Sequence, residues 1–293
     1  MRERSCYLLL VIAAAVFVIS GCAGKSGTCA SPDKEVGLTL TYKMAEGVPL
    51  KYVFTSDFSQ TMEIRGEQVP IQTVEVLTFS VLPSGMMGSD YAIGVTIDDM
   101  ALTIQTPQGD MAPDVAGVVG GSFEMSLSGT GEEGNLPDPE TLQFSAGPEG
   151  PRSLIPSFSV MFPDLPGKPI MVGDTWPSDV NLDQSEGEGT SMLQLSTVNT
   201  LDGFETFQGR ECARITSTFT GLITGSGTEQ GAQWTMESDT EGTGVCYFDF
   251  KNGVLVSDSS TGTADGTITV NSPQGEMVIP VSRNYTMISK LAE

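Results

Sequence analysis

The chain has 293 residues, of which 39% are hydrophobic, and a formal net charge of −23 at pH 7. The hydrophobic fraction is high enough for a packed core, and the negative charge repels the phosphate backbone, which excludes nucleic-acid binding. The sequence contains no histidine. This rules out Ser-His-Asp and Cys-His triads, His-ligated zinc and the commonest general base at neutral pH. We therefore predict a non-enzymatic protein with no catalytic residues, no metal and no cofactor.

Residues 1–21 have the three parts of an export signal. Arg2 and Arg4 precede an apolar run from Tyr7 to Ile19, which is followed by the small residues before Cys22. A membrane-spanning helix needs about 20 apolar residues, and this run is shorter. The sequence Ile-Ser-Gly-Cys at residues 19–22 resembles the lipobox of bacterial lipoproteins, in which the signal is removed and the cysteine is acylated.

The lipobox resemblance implies that Cys22 carries lipid and holds the protein on a membrane; plain secretion and an uncleaved anchor are the alternatives. Several acyl chains give an effectively permanent anchor. Ala23 stands where an aspartate would favour inner-membrane retention in enterobacteria, so the outer membrane is favoured, on its periplasmic or surface face. Without residues 1–21 the chain keeps 12 basic and 36 acidic side chains, a charge of −24. Anionic lipid head groups repel such a body.

The remaining cysteines suggest one disulfide. Cys212 and Cys246 are equally distant from position 229, which lies in a Gly-rich polar stretch typical of a hairpin tip. Antiparallel partners around such a tip face each other, so we predict a Cys212–Cys246 disulfide in an oxidising compartment. Cys29 would be left free, modified or paired with another chain.

Residues 22–34 are small and polar, which is typical of a flexible tether. Most of the remaining chain alternates polar with β-branched or aromatic residues, which predicts an all-β, mainly antiparallel fold. The sequence Lys251-Asn252-Gly253-Val254 predicts a hairpin with a two-residue loop. The predicted strands are about 12 to 16 residues long, and strands of that length twist and curl. We expect curved sheets whose concave face is lined or plugged by apolar side chains.

An internal repeat divides the chain. The sequence at residues 103–111, TIQTPQGDM, recurs at residues 269–277 as TVNSPQGEM. We predict two related halves, residues 35–130 and 171–293, each a curved meander sheet or half-barrel, with at most one or two short helices. Whether the halves form one sheet or two is left open.

The connecting segment, residues 131–170, has proline at a density that cannot lie inside a sheet. Its stretch from Arg152 to Phe162 is nevertheless apolar, so we expect it to pack on the sheets and to include one short helix. Aromatic and methionine side chains offer adaptable apolar area. The candidate ligand-lining residues are Phe158, Met161, Phe162, Trp176 and Trp234.

The middle of the chain carries Phe-Pro-Asp-Leu-Pro at residues 162–166, followed by Val172-Gly173-Asp174-Thr175-Trp176. Together with the lipobox and the two meanders, this pattern resembles uncharacterised bacterial lipoproteins grouped by a Val-Gly-Asp-Ser/Thr-Trp signature. Their sheets are similar in outline to LolA-like half-barrels. The resemblance covers most of residues 36–290. It implies a fold and an envelope role, and it supplies no catalytic residues.

The leading functional hypothesis is an envelope lipoprotein that binds an apolar ligand, such as a lipid, or a partner protein on its curved sheet. The alternative is a structural or assembly component whose core is filled and which holds no ligand. A continuous apolar groove above about 300 Å³ would favour the first hypothesis. Clustered inward-facing carboxylates with raised pKa values in one pocket would instead favour an enzyme.

Overall fold

The computed structural model describes residues 37–145, 151–186, 189–229, 231–273 and 275–292. Helix in this part is limited to short 3₁₀ segments such as Pro139–Thr141 and Ile155–Ser159. The predicted all-β, antiparallel class is confirmed. No helix in the described ranges is long and apolar enough to cross a membrane. The predicted signal, the tether, Cys22 and Cys29 lie outside the described residues.

Fourteen strands follow one another along the described chain. The first group is β1 (Leu50–Ile64), β2 (Glu67–Met87), β3 (Asp90–Thr106), β4 (Gly109–Met111), β5 (Ser122–Leu127), β6 (Glu133–Gly134), β7 (Gln143–Ser145) and β8 (Pro151–Ser153). The second group is β9 (Thr175–Glu186), β10 (Gly189–Phe207), β11 (Arg210–Glu229), β12 (Ala232–Asp249), β13 (Val254–Ser272) and β14 (Gly275–Leu291).

Twelve of these strands form one antiparallel sheet in the order β6-β5-β3-β2-β1-β14-β13-β12-β11-β10-β9, with β4 paired to β3. The strands β7 and β8 form a separate two-stranded ribbon. The two predicted meanders are joined where β1 pairs with β14, from Tyr52↔Leu291 to Met62↔Val281. The halves therefore belong to a single sheet, which answers the question that the sequence left open.

The long strands bury one face. In β1, Tyr52, Phe54, Phe58 and Met62 are buried and alternate with more exposed residues. This alternation follows from the two-residue period of a strand. The major strands have 12 to 21 residues, and most of them are longer than the 12 to 16 residues that the sequence pattern predicted. The two terminal strands of the sheet, β6 and β9, line the same cavity, so the sheet curls with its buried face inside. We call this buried face the concave face.

The internal repeat forms two equivalent hairpins. In the first, Thr106 pairs with Gly109 and its hydroxyl donates to the Gly109 carbonyl at 3.0 Å. In the second, Ser272 pairs with Gly275 and donates in the same way at 3.1 Å. The repeated sequence therefore specifies the same turn at the ends of β3 and β13.

The apolar residues of the concave face form two clusters. The main core lies at one end and includes Tyr52, Phe79 and Phe248, together with Leu40 and Tyr42 from the extended stretch before β1. The second cluster gathers the strand ends near the repeated hairpins; its buried members are Met62, Ile71, Ile104, Ile268, Val270, Ile279 and Val281.

The connecting segment packs against the concave face, as expected. Phe158, in the 3₁₀ segment, is fully buried and makes edge-to-face contacts with Phe79 at 5.2 Å and Phe123 at 5.1 Å between ring centroids. Such aromatic pairs stabilise a core beyond the area they bury. The segment therefore plugs the main core.

The predicted Cys212–Cys246 disulfide is wrong, because both cysteines are free and buried. The hairpin turns between Glu229 and Ala232, so Cys212 pairs with Asp249 and Cys246 pairs with Ile215. This register differs from the predicted one by an odd number of residues, and an odd shift moves a side chain to the other face of the sheet. Cys246 belongs to the main core, whereas Cys212 lies in a separate cluster with Val245 and Tyr247.

The predicted hairpin near Gly253 is present, but its loop has four residues. Asp249 pairs with Val254, and the loop lies between them. The Asp249 carboxylate accepts from the backbone amides of Lys251 at 3.1 Å and Asn252 at 2.9 Å, and from Arg210 at 3.1 Å. A buried carboxylate thus closes the turn, which an Asn-Gly pattern alone did not indicate.

Candidate functional site

A cavity of about 790 Å³ opens on the concave face. It is lined on one side by β9 and on the other by both residues of β6 and the loop before it. Because β9 and β6 are the two terminal strands of the sheet, the cavity marks the place where the curled sheet fails to close. We call it the seam cavity.

The edge of β9 forms one wall of the seam cavity. Five consecutive residues, 177–181, line it. Neighbouring side chains in a strand point to opposite faces, so five consecutive lining residues share only their backbone edge. The wall is therefore an edge strand with its hydrogen-bonding groups toward the cavity.

The strap, which we define as residues 159–167 of the connecting segment, bridges the two sides of the seam. The Leu165 amide donates to the Thr130 carbonyl at 2.7 Å. The Trp176 indole N–H of β9 donates to the Asp164 carbonyl at 3.1 Å. These bonds tie both terminal regions of the sheet to one short segment.

The floor of the seam cavity is polar. Asn199, Ser217, Cys246 and Asp258 reach it from β10, β11, β12 and β13. The Ser217 hydroxyl donates to Asn199 Oδ1 at 2.7 Å, and Asn199 Nδ2 donates to the hydroxyl of Ser178 at 3.1 Å. The amide of Asn199 is thereby fixed, and the network links the floor to β9.

The charge of the seam cavity has one sign. Six carboxyl groups line it, and no lysine or arginine is among the described lining residues. The six come from five separate parts of the chain: Asp90, the neighbours Glu132 and Glu133, Asp164, Asp179 and Asp258. Walls of one sign concentrate the field within a cleft and attract the opposite charge.

Two of these carboxyl groups have raised pKa values. Burial raises the pKa of Glu133 to about 8, although the Phe162 amide, which donates to its carboxylate at 2.8 Å, opposes the shift. Burial, and then the negative charge of Glu132, raise the pKa of Asp164. Glu133 is thus largely protonated at neutral pH, and it also positions the strap.

The acidic residues are not arranged as a metal centre. No group of three or more His, Cys, Asp or Glu side chains in the part of the chain that the structure describes could hold a metal ion. Carboxylates spread around a cavity of this size suit a larger cationic or polar group better than a single ion.

The predicted ligand-lining residues are divided between two places. Phe158, Met161, Phe162 and Trp176 meet in the main core, where each is nearly or fully buried. Only Phe162 also lines the seam cavity. Trp234 packs against the second cluster, at the other end of the sheet. These five residues therefore do not meet in one apolar groove, and a ligand-lining role for them stays a prediction.

The Val-Gly-Asp-Thr-Trp signature starts β9. Gly173 has φ of 96°, which favours glycine, and the Asp174 carboxylate accepts from the Met171 amide at 2.9 Å to close the turn. Trp176 is then buried and bonded to the strap. The signature thus positions the edge strand at the seam, which explains these residues by structure and requires no chemistry of their own.

A second polar feature lies between the two apolar clusters. Arg283 is buried and donates to Gln60 Oε1 at 2.6 Å and 3.1 Å. Glu75 is also buried on this face, where burial raises its pKa to about 7 while Arg152 opposes the shift. This polar layer separates the two apolar clusters.

Sequence reasoning missed the seam cavity. Its carboxyl groups come from segments far apart in the chain, and apart from Asp164 in the Phe-Pro-Asp-Leu-Pro stretch, none stands in a recognisable motif. The one signal available was Pro177 beside Asp179, because proline and charged residues are typical of edge strands.

No protein-family model matches the chain, and no curated protein matches it in sequence. Among solved structures, the chain is similar to an outer membrane channel from Pseudomonas putida F1, with 7% identity over 86% of this chain and 97% of that chain, and a TM-score of 0.25. It is also similar to OccK2 (OpdF) of Pseudomonas aeruginosa, with 7% identity over 85% and 100% of the two chains and a TM-score of 0.26. TM-scores this low do not establish a shared fold.

Proposed function

We propose that this protein is a lipoprotein of the cell envelope, anchored through Cys22, that binds a partner protein at the seam cavity and has no enzymatic activity. The export signal and the lipobox support the anchor, and Ala23 supports the outer membrane. The resemblance to lipoproteins with the Val-Gly-Asp-Ser/Thr-Trp signature supports the same assignment.

The observation that carries the proposal is the polar opening between the two terminal strands. A lipid ligand would need a continuous apolar groove. The apolar part of the concave face is instead filled by Phe158 and its neighbours, and the remaining cavity is acidic. A polar cavity with an exposed strand edge favours a protein over a lipid as the bound molecule.

The filled main core favours a second candidate, a structural component that holds no ligand. This alternative treats the seam cavity as solvent-filled surface. It predicts that changing the charge of the cavity alters nothing beyond local stability, which separates it from partner binding.

The raised pKa values of Glu133 and Asp164 meet the criterion that would favour an enzyme. However, Glu133 accepts the Phe162 amide, and the Asp164 carbonyl accepts the Trp176 indole, so both residues hold the strap. Glu133 thus has a structural role through its carboxyl group, and Asp164 has one through its backbone.

Native mass spectrometry of the full-length protein, extracted from envelopes in mild detergent, tests the proposal. We would compare the wild type with Asp179→Lys, which reverses an exposed charge in the cavity, and with Asp110→Lys, a matched reversal at the exposed tip of β4. A protein mass retained by the wild type and Asp110→Lys but lost from Asp179→Lys is expected.

A protein mass retained equally by all three forms would place the partner elsewhere and overturn the proposal. A lipid-sized mass that organic extraction removes would instead support the hypothesis of an apolar ligand. If the wild-type protein carries no bound mass and Asp179→Lys behaves in the same way, the structural component without a ligand is the remaining candidate.

A further inference from the structure

We propose that the outer edge of β9 accepts an extended, basic segment of the partner as an additional strand of the sheet. This inference rests on the proposed function and specifies how the partner is held. Strand addition supplies affinity through backbone hydrogen bonds, and side-chain pockets supply selectivity.

The backbone pattern identifies which groups are available. Leu201 of β10 accepts from the Gly173 amide and donates to the Asp174 carbonyl, which extends the ladder toward β9. In the alternating antiparallel pattern, odd-numbered residues of β10 up to Leu201 then bond to even-numbered residues of β9. The amides and carbonyls of Asp179 and Asn181 therefore point away from β10.

These outward groups lie at the cavity. Asp179 and Asn181 both line it, and no described residue forms a backbone hydrogen bond to either of them from the open side. A segment lying beside β9 would be about 4.8 Å away. It would occupy the seam and extend the sheet toward β6.

The carboxylates determine what kind of segment fits. Alternate side chains of an added strand would point toward the floor, where Asp258 lies, and the others would point outward past Asp179. With no described lysine or arginine in the lining, both directions favour lysine or arginine in the partner. Charge complementarity of this kind also accelerates association and excludes wrong partners.

Protection against aggregation is the alternative explanation of this edge, because proline and charged residues commonly block edge pairing. Pro177 removes a single outward amide at one end of the lining stretch. Asp179 and Asp183 are exposed on β9, so self-pairing would add acidic side chains to a cavity wall that is already acidic. The same charges attract a basic strand. The edge is therefore closed to another copy of this chain and open to a basic segment.

The test measures binding of three fluorescent peptides to the full-length protein by fluorescence anisotropy. The first peptide alternates lysine with threonine or valine. The second replaces every lysine with glutamate. The third keeps the lysines but carries N-methyl groups on alternate backbone amides, which removes donors without changing charge.

We expect the lysine peptide to bind and both analogues to bind at least about tenfold more weakly. The N-methylated peptide loses backbone hydrogen bonds, and the glutamate peptide carries the same charge sign as the cavity. Binding should weaken as salt is raised, because screening reduces attraction between exposed charges. Equal binding of the N-methylated peptide would overturn strand addition, and equal binding of the glutamate peptide would overturn the charge argument.

A protein variant provides the complementary test. Asp179→Pro removes the outward amide and the charge, whereas Asp179→Asn removes the charge alone. Because the Asp179 amide is not part of the β10 ladder, Asp179→Pro should fold, which its circular dichroism and thermal unfolding would verify. We expect Asp179→Pro to bind the lysine peptide at least about fivefold more weakly than Asp179→Asn. Equal affinity of the two variants would count against edge pairing.

The two proposals fail in different ways. If the lysine peptide does not bind but native mass spectrometry finds a partner that Asp179→Lys loses, the seam binds a partner by another mode and only strand addition is refuted. If neither experiment finds binding, the proposed function itself is refuted.

Discussion

Glu75 offers a sharp test of the energetics of the concave face. It lies in β2 with 8% of its surface exposed, and its Oε1 has no hydrogen-bond partner among the described residues. Ser56, directly across the ladder, also has a buried hydroxyl without a hydrogen bond in that part of the chain. Ionising Glu75 here therefore requires the removal of hydration that the protein does not fully replace.

The free-energy cost of ionising Glu75 in the folded protein follows from its pKa. Burial raises the pKa of Glu75 from 4.5 to about 7, with Arg152 opposing the shift. A difference of this size corresponds to about 3 kcal/mol, as each pKa unit is about 1.4 kcal/mol. Between about pH 4.5 and pH 7 the folded protein keeps the proton that the unfolded chain has lost. The free energy of unfolding therefore falls across that window and is constant above it, as far as Glu75 is concerned.

The variant Glu75→Gln removes this dependence while keeping the size of the side chain. Urea unfolding at about pH 4.5 and about pH 8.5 should show little difference from the wild type at the lower pH. At the higher pH, Glu75→Gln should be more stable than the wild type by about 3 kcal/mol. Glu124→Gln, at an exposed position of β5, is the matched control.

Other titrating groups, including Glu133, act equally in the wild type and the variant and cancel in the difference. If the wild type and Glu75→Gln lose stability in parallel as the pH rises, the argument that burial controls Glu75 is refuted. An effect of the same size in Glu124→Gln would show that net charge, and not burial, is responsible.

Three further predictions concern packing and the thiols. Phe158→Ala should lower the free energy of unfolding by about 3 to 5 kcal/mol, measured by urea unfolding, because the ring is fully buried; a change below about 1 kcal/mol would contradict its role as a plug. Gly221→Ala would place a methyl group inside contact distance of the β10 backbone and should cost about 2 kcal/mol or more, whereas Gly203→Ala, with open space around its Cβ, should cost far less. Alkylation in denaturant without reductant, followed by peptide mapping, should label both Cys212 and Cys246, since both are free; a linked peptide pair would restore the disulfide.

Local patterns predicted the strands well, because side-chain alternation and turn chemistry act over a few residues. The alternating burial of β1 and the equivalent hairpins after Thr106 and Ser272 are of this kind. The apolar stretch around Phe158 likewise indicated a packed connecting segment.

The register between paired strands could not be predicted from local patterns. A shift of the turn from position 229 to the two residues before Ala232 was enough to place Cys212 and Cys246 on opposite faces. The turn position depends on the pairing of whole strands, which the glycine-rich tip alone does not specify.

The sequence by itself determined the β class and the two repeated hairpins after Thr106 and Ser272, because each depends on neighbouring residues. The export signal stays a prediction. Only the tertiary structure decided that the two meanders form one sheet through β1 and β14, and that its terminal strands leave an acidic seam. That seam gathers Asp90, Asp179 and Asp258 from distant strands. Long-range pairing and curvature bring them together, and these depend on how the whole sheet buries its concave face.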